Sequence, residues 1–338
     1  MYYSNTCPGG GIGRRARLKI VYRKVWEFDS PPGHKEMKPK ILVILGQTAT
    51  GKSDVAVDLA KKFKGEVISA DSRQVYKGMD IGTGKVTKKE MKGVPHYLLD
   101  VTDPKKRFSV VDYQRQALKK IQDIIKKRKI PIIVGGTGFY IESLVNDAEF
   151  PVAPVNNAFR KKLEKKSAAE LFRILKKMDL RRASEIDPKN PIRLIRAIEL
   201  ATAFVKVPVI SKEPRKEYEI LQIGLRPHPE ILKAKIKYRL LKRIDMGMIK
   251  EVQNLREKGL SWKRMHELGL EYRYVALFLQ NKINKGEMIE GLSNAIWQYA
   301  KRQDTWFKRD PLIHWYDPTK KSYAKKLSVL VNKFLRQD

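Results

Sequence analysis

Gly46-Gln47-Thr48-Ala49-Thr50-Gly51-Lys52-Ser53 follows the short apolar run Ile41–Leu45 and precedes a helix-patterned stretch. In that context G-x-x-x-x-G-K-[ST] reads as a phosphate loop. Its glycines allow a tight turn with backbone N–H groups pointing inward, and the helix that follows adds the positive end of its dipole. Lys52 is placed to reach terminal phosphates, and the Ser53 hydroxyl to serve as a Mg2+ ligand. The loop therefore asks for linked phosphates with magnesium. It does not choose between a nucleoside triphosphate and an allylic pyrophosphate. The plainer reading is a glycine turn that happens to precede a lysine.

Two further groups of residues sit where such a loop needs help. Asp71-Ser72-Arg73-Gln74 follows the strand-like run Val67–Ala70. If that strand is a parallel neighbour of the first, Asp71 lies beside the phosphate loop. A carboxylate there can hold magnesium-bound water, accept a proton from a nucleophile, or cap a helix. Gly135-Gly136-Thr137-Gly138 ends the buried run Ile130–Val134. A nucleotide hydrolase would often carry an acid at such a strand end. Glycines there allow close backbone approach to a ligand, with the Thr137 hydroxyl as a donor. An ordinary strand-to-helix turn is the alternative. Gly78 to Gly84 is a glycine-rich loop that says little alone.

These groups must be held by a sheet. Ile41–Leu45, Val67–Ala70, His96–Asp100, Ile130–Val134 and Leu221–Leu225 read as strands. Between them run helical patterns: Val55, Ala56, Leu59, Ala60 and Phe63; then a helix opened by a Ser109/Asp112 capping box. Strands alternating with helices predict an α/β fold, a phosphate-loop-NTPase-like parallel sheet flanked by helices. Sites in such sheets lie at the carboxyl ends of the strands. Residues 151–212 are rich in Lys and Arg, poor in strand signals and helical in pattern, and read as an inserted all-helical domain. One long amphipathic helix is expected from Pro229 to Lys258, with Leu232, Ile236, Leu240, Ile244, Met248, Val252 and Leu255 as its stripe. A last helix, about 286–309, carries Ile289, Leu292, Ile296, Tyr299, Gln303 and Trp306. The organisation expected is a basic N-terminal extension over 1–38, a phosphate-loop core over 39–150 and 213–317, the insertion over 151–212, and a helical tail over 318–338.

The chain carries 71 Lys and Arg against 37 Asp and Glu, a net charge of +34 over 338 residues. A protein this basic repels itself unless it meets a polyanion, and nucleic acid is the natural one. No apolar run approaches the roughly 20 residues of a membrane-spanning helix. The single cysteine, Cys7, cannot form an internal disulfide, and no Cys or His cluster has zinc spacing. A cytoplasmic setting with no membrane partner is expected.

Several blocks resemble the tRNA dimethylallyltransferases (the IPP transferase family) in sequence and in order, over roughly residues 40–317. They are the phosphate loop; Asp71-Ser72-Arg73-Gln74-Val75-Tyr76-Lys77-Gly78-Met79-Asp80-Ile81-Gly82-Thr83; Pro95-His96; and Gly135-Gly136-Thr137. Further on come Arg193-Leu194-Ile195-Arg196-Ala197-Ile198-Glu199, Gly269-Leu270-Glu271-Tyr272-Arg273, and Ala300-Lys301-Arg302-Gln303-Asp304-Thr305-Trp306. The resemblance implies transfer of a dimethylallyl group from dimethylallyl pyrophosphate to N6 of the adenosine 3′ of the anticodon in tRNA. It implies Asp71 as general base, Thr137 as a substrate-contacting residue, and the phosphate loop with Mg2+ on Ser53 as the pyrophosphate site. Arg239 falls where the family has a second pyrophosphate-binding arginine. The family's contacts to the tRNA anticodon stem-loop map onto Asp71, Ser72, Arg73, Gln74, Thr137, Arg160, Ile192, Arg193, Leu194, Ile195, Arg196, Leu268, Gly269, Leu270, Glu271, Tyr272 and Arg273. A monomer is expected. Two departures stand out: Arg243 occupies a position where the family commonly has methionine, and the zinc finger of eukaryotic members has no counterpart, as in the shorter bacterial type. A small-molecule kinase, an RNA-binding protein with a merely structural loop, and a prenyltransferase of free adenylates are the competing readings. The charge and the helical insertion favour RNA.

Overall fold

The computed structural model describes residues 38–151, 153, 156–211 and 213–337. The expected extension over 1–38 therefore lies outside the described residues, Lys38 excepted. Six strands form one sheet: β1 Lys40–Gly46, β2 Gly65–Ala70, β3 His96–Tyr97, β4 Ile130–Gly135, β5 Glu219–Leu225 and β6 Ile313–Tyr316. Their order is β3-β2-β4-β1-β5-β6 and every pairing is parallel. Parallel sheets are covered on both faces, so their strands are apolar throughout. In β1, Ile41, Val43 and Leu45 face one layer and Leu42 and Ile44 the other.

The first layer holds α3 (Val110–Lys126) and α4 (Gly138–Val145); the second holds α1 (Lys52–Phe63) and the C-terminal α14 (Tyr323–Arg336). A short α2 (Lys88–Met91) lies between α1 and α3 in sequence. The capping box read at Ser109 and Asp112 is formed, each side chain bonding the other's backbone N–H. After α4 the chain leaves the sheet for α5 (Asn157–Glu164), α6 (Ala168–Met178), α7 (Leu180–Glu185) and α8 (Pro191–Phe204). These four pack on their own apolar cluster, with Leu171, Leu175 and Leu194 at its centre. An antiparallel bridge between Asn146 and Pro214 closes the neck before β5 begins.

The remaining helices are α9 (Pro229–Asp245), α10 (Met248–Glu257), α11 (Trp262–Leu268), α12 (Leu270–Leu279) and α13 (Lys285–Phe307). With the segment around Val75 to Met79 they enclose a further apolar cluster. The single helix expected from Pro229 to Lys258 is two. Gly247 adopts φ 98°, a left-handed conformation, and starts α10 in a new direction. The apolar stripe continues on both sides of the break, which is why periodicity alone did not show it. The strand expected over His96–Asp100 is only two residues long, because Leu98 and Asp100 turn to φ 62° and 54°.

Candidate active site

The phosphate loop joins β1 to α1 at the carboxyl edge of the sheet. Its inside is crowded with its own polar groups. The Lys52 ammonium folds back to donate to the Gln47 carbonyl, and it reaches Thr50 Oγ1 at 3.4 Å. Thr50 Oγ1 donates to the same carbonyl at 2.9 Å. Ser53 is exposed in the first turn of α1.

One side chain from α13 ties this loop to the next one. The buried Gln303 accepts from the Thr48 N–H at 2.9 Å and donates from Nε2 to the Gly136 carbonyl at 2.7 Å. Gln47 in turn donates to the Ala300 carbonyl at 3.3 Å. The glycines of the β4 turn are required by this packing. A Cβ on Gly135 would lie 2.1 Å from the Ala70 carbonyl oxygen, and one on Gly136 2.4 Å from Gln303 Nε2.

Asp71 was expected beside the phosphate loop on an adjacent strand. Instead β4 stands between β2 and β1. The two sites still communicate, because the intervening turn is made of glycines. Asp71 Oδ1 accepts from the backbone N–H groups of Arg73 at 2.8 Å and Gln74 at 3.4 Å, so the carboxylate caps the turn that follows it. Both of these bonds go to one oxygen of the carboxylate. Thr137 Oγ1 accepts from the Ser72 N–H at 3.0 Å, which fixes it next to that carboxylate. Tyr299 of α13 lies against Thr137. More than a third of the residue is exposed, yet its hydroxyl is pushed up to about 12, by burial first and by the Asp71 charge second.

The cationic side is built by Lys52 and α9. Burial of the ammonium, then the Arg239 charge, brings Lys52 down to about 7, opposed by the Asp71 carboxylate. Lys52 therefore feels both the Arg239 guanidinium and the Asp71 carboxylate. Arg239 as a residue is exposed, but the protein around its tip, then Arg243, hold it below the usual arginine range. It stays charged at any ordinary pH. Cations held together against their own repulsion form a site for a multiply charged anion.

The residues expected to contact tRNA fall into two kinds. Arg73, Arg193, Arg273 and Ile192 are exposed, Ile192 by 80%. Ile192 and Arg273 line one concave space of about 570 Å³ with Trp262, His266 and Lys282, where α8 faces α11 and α12. Leu194, Ile195, Leu268 and Tyr272 are buried, and their side chains serve the cores around them. Arg160 holds Glu199 with two bonds of 2.8 Å, and Arg196 joins at 3.2 Å, so both guanidinium groups are already partnered. Glu271 pairs with Arg243 at 3.2 Å, and Gln74 donates to the Gly84 carbonyl at 3.5 Å. Gly269 packs near Arg73, and Leu270 is half-buried.

Sequence reasoning assigned no role to Gln303, Tyr299 or Glu251. The first two carried a signal: both are polar-tipped residues on the periodic stripe read for α13, Gln303 buried and Tyr299 partly exposed. Glu251 carried none, since its partners lie far away in the chain. Among the described residues, no group of three or more His, Cys, Asp or Glu could hold a metal ion, and no helix is long and apolar enough to cross a membrane.

Residues 74–310 match the family model described as IPP transferase. The "tRNA dimethylallyltransferase 2" of Treponema denticola is 44% identical over 80% of this chain and 92% of its own length. The "tRNA dimethylallyltransferase" of Anoxybacillus flavithermus is 40% identical over 84% and 92%. Among solved structures, the tRNA isopentenylpyrophosphate transferase of Bacillus halodurans aligns with a TM-score of 0.67 at 34% identity, covering 88% of this chain and 96% of that one. A eukaryotic dimethylallyltransferase acting on tRNA aligns with a TM-score of 0.75 at 27% identity, over 89% and 81%. Family model, curated relatives and solved structures agree, and the chain belongs to the IPP transferase family, the tRNA dimethylallyltransferases.

Proposed function

We propose that this chain moves the dimethylallyl group of dimethylallyl pyrophosphate onto N6 of the adenosine 3′ of the anticodon in tRNA. The observation that carries the reading is the phosphate loop joined through Gln303 to the Gly136 turn, with a Lys52 ammonium that feels both the Arg239 guanidinium and the Asp71 carboxylate. The diphosphate lies in the phosphate loop, against the loop amides, Lys52 and Arg239. The target adenine leaves its stack to reach the site, as bases must when an enzyme works on their atoms. The bond from the allylic carbon to the diphosphate oxygen breaks, and its electron pair leaves with pyrophosphate. The bond from N6 to that carbon forms, and the N6 proton passes to the Asp71 carboxylate. An exocyclic amine is a weak nucleophile, so a nearby carboxylate helps. Thr137, held by Ser72, contacts the substrate beside the transferred group.

Mg2+ is usually carried by phosphate oxygens and water with one or two protein oxygens. The exposed Ser53 hydroxyl at the start of α1 suits that role. When bound, the ion adds positive charge on the leaving pyrophosphate. The anticodon stem-loop lies along Arg73, Arg193, Ile192 and Arg273, positioned by phosphate contacts. The chain works as a monomer in the cytoplasm.

Asp71→Asn tests the reading. It is expected to bind tRNA and dimethylallyl pyrophosphate as the wild type does, and to transfer nothing. Normal turnover in that variant rules out Asp71 as the base.

A further inference from the structure

Glu251 stands in the first turn of α10, just after the helix break at Gly247. Its carboxylate accepts from three consecutive backbone N–H groups of the glycine loop. Asp80 and Ile81 donate to Oε2 at 2.8 and 2.7 Å, and Gly82 donates to Oε1 at 3.0 Å. The hydroxyl of the buried Tyr272 adds a fourth bond to Oε1 at 2.7 Å. Successive N–H groups that converge in this way form an anion nest. Here the protein fills the nest with its own carboxylate. Bonds to an ionised acceptor are about twice as strong as neutral ones.

The far side of the same loop meets two arginines of α9, one of them Arg239 of the diphosphate site. The Gly82 carbonyl accepts from Arg243 at 2.7 Å. Two residues on, Gly84 approaches Arg239 so closely that a Cβ there would lie 3.3 Å from a guanidinium nitrogen. Tyr272 closes the other face, since a Cβ on Gly82 would come within 2.8 Å of its ring. The break at Gly247 lets α9 and α10 grip one loop from both ends. α9 brings Arg239 and Arg243 to its outer side, and α10 brings Glu251 to its inner side.

We propose that Glu251 is a positioning residue for the diphosphate site, holding the loop 80–82 so that Arg243, bonded to the Gly82 carbonyl and to Glu271, keeps Arg239 beside it set to receive the donor's diphosphate. This rests on the reading that the diphosphate lies between Lys52 and Arg239. Glu251 touches no substrate. Its effect passes through the loop, and it should appear in donor binding and not in tRNA binding.

The test uses the full chain and dimethylallyl pyrophosphate with magnesium. Affinity is measured by calorimetry, and KM and kcat for donor and for tRNA by steady-state transfer, in the wild type, Lys52→Ala, Glu251→Gln and Tyr272→Phe. Glu251→Gln replaces one acceptor oxygen by an amide whose hydrogens face backbone N–H groups. It is expected to weaken donor binding and raise the donor KM about tenfold, leaving kcat within about threefold and the tRNA KM unchanged. A lowered Tm with unchanged donor affinity would make Glu251 a stability residue only and overturn the inference. Equal losses for donor and tRNA would overturn it too. Should Glu251→Gln fail to fold, Tyr272→Phe decides alone, because it removes one of the four bonds. About threefold weaker donor binding is expected there, and no change would refute the proposal. If Lys52→Ala binds donor as the wild type does, the diphosphate does not lie at Lys52, and the reading beneath this inference fails by itself.

Discussion

Donor affinity should fall as the pH rises from 7.5 to 9.0, because Lys52 must take up a proton to hold a diphosphate. Burial and the Arg239 charge put its ammonium at about 7 in the free protein. A bound diphosphate brings negative charge next to it and returns it toward the ordinary lysine range of about 10.4. The sign follows from linkage. Between the two values the complex holds one more proton than its parts, so raising the pH opposes binding. Below about 7 Lys52 is charged already and contributes no slope. The charged fraction is about one quarter at pH 7.5 and about one hundredth at pH 9.0, so the affinity should drop about twenty-fivefold. Calorimetry in two buffers of different ionisation enthalpy gives the number of protons taken up, which should approach one at pH 8.5. Lys52→Ala provides the baseline, with weaker binding and only the donor's own titration left. A wild type as flat as that variant, or one that takes up no proton, would refute the assignment of Lys52, with its lowered pKa, to the diphosphate site.

Three further outcomes are expected. Because burial lowers the folded pKa of Lys52, its charge costs stability fully below about 7 and progressively less toward the ordinary lysine value. Lys52→Met should therefore raise Tm at pH 6, with a gain that shrinks by pH 10, while donor binding weakens. Gly136→Ala should displace Gln303 from Thr48 and from the Gly136 carbonyl, costing about 2 kcal/mol of stability for two buried hydrogen bonds, and calorimetric Tm together with the donor KM would show it. With a net charge of +34, binding of tRNA should weaken steeply with salt, and a titration at several NaCl concentrations that shows no slope would count against an electrostatic interface.

The parts of this molecule that the sequence made legible are those whose signal is local. The β1–loop–α1 unit showed itself because an apolar strand, a glycine turn and a helical stripe follow one another directly. The capping box at Ser109 is equally local. The break between α9 and α10 left only a glycine in a stripe that does not lose its period, and the stripe outweighed it. β3 stops early because Leu98, whose type gives no hint of it, takes a positive φ, as does Asp100, a residue only somewhat richer there. The order of β2, β4 and β1 is a matter of tertiary pairing, so the route from Asp71 to Lys52 over a side-chain-free turn could not be read in advance. The anchoring roles of Gln303 and Glu251 depend on partners from distant segments. A polar residue in the apolar stripe of α13 was a usable sign for the first, and nothing in the chain pointed to the second.

The most direct measurement is where the five-carbon group goes. The full chain is incubated with magnesium, unmodified tRNA, ATP, and dimethylallyl pyrophosphate labelled in its carbon skeleton, and the tRNA is then digested to nucleosides. Label is expected on N6 of one adenosine next to the anticodon, with pyrophosphate released in equal amount and no label when Asp71→Asn replaces the wild type. Label in free adenylates, or phosphate passed from ATP with the carbon label left unmoved, would contradict the assignment.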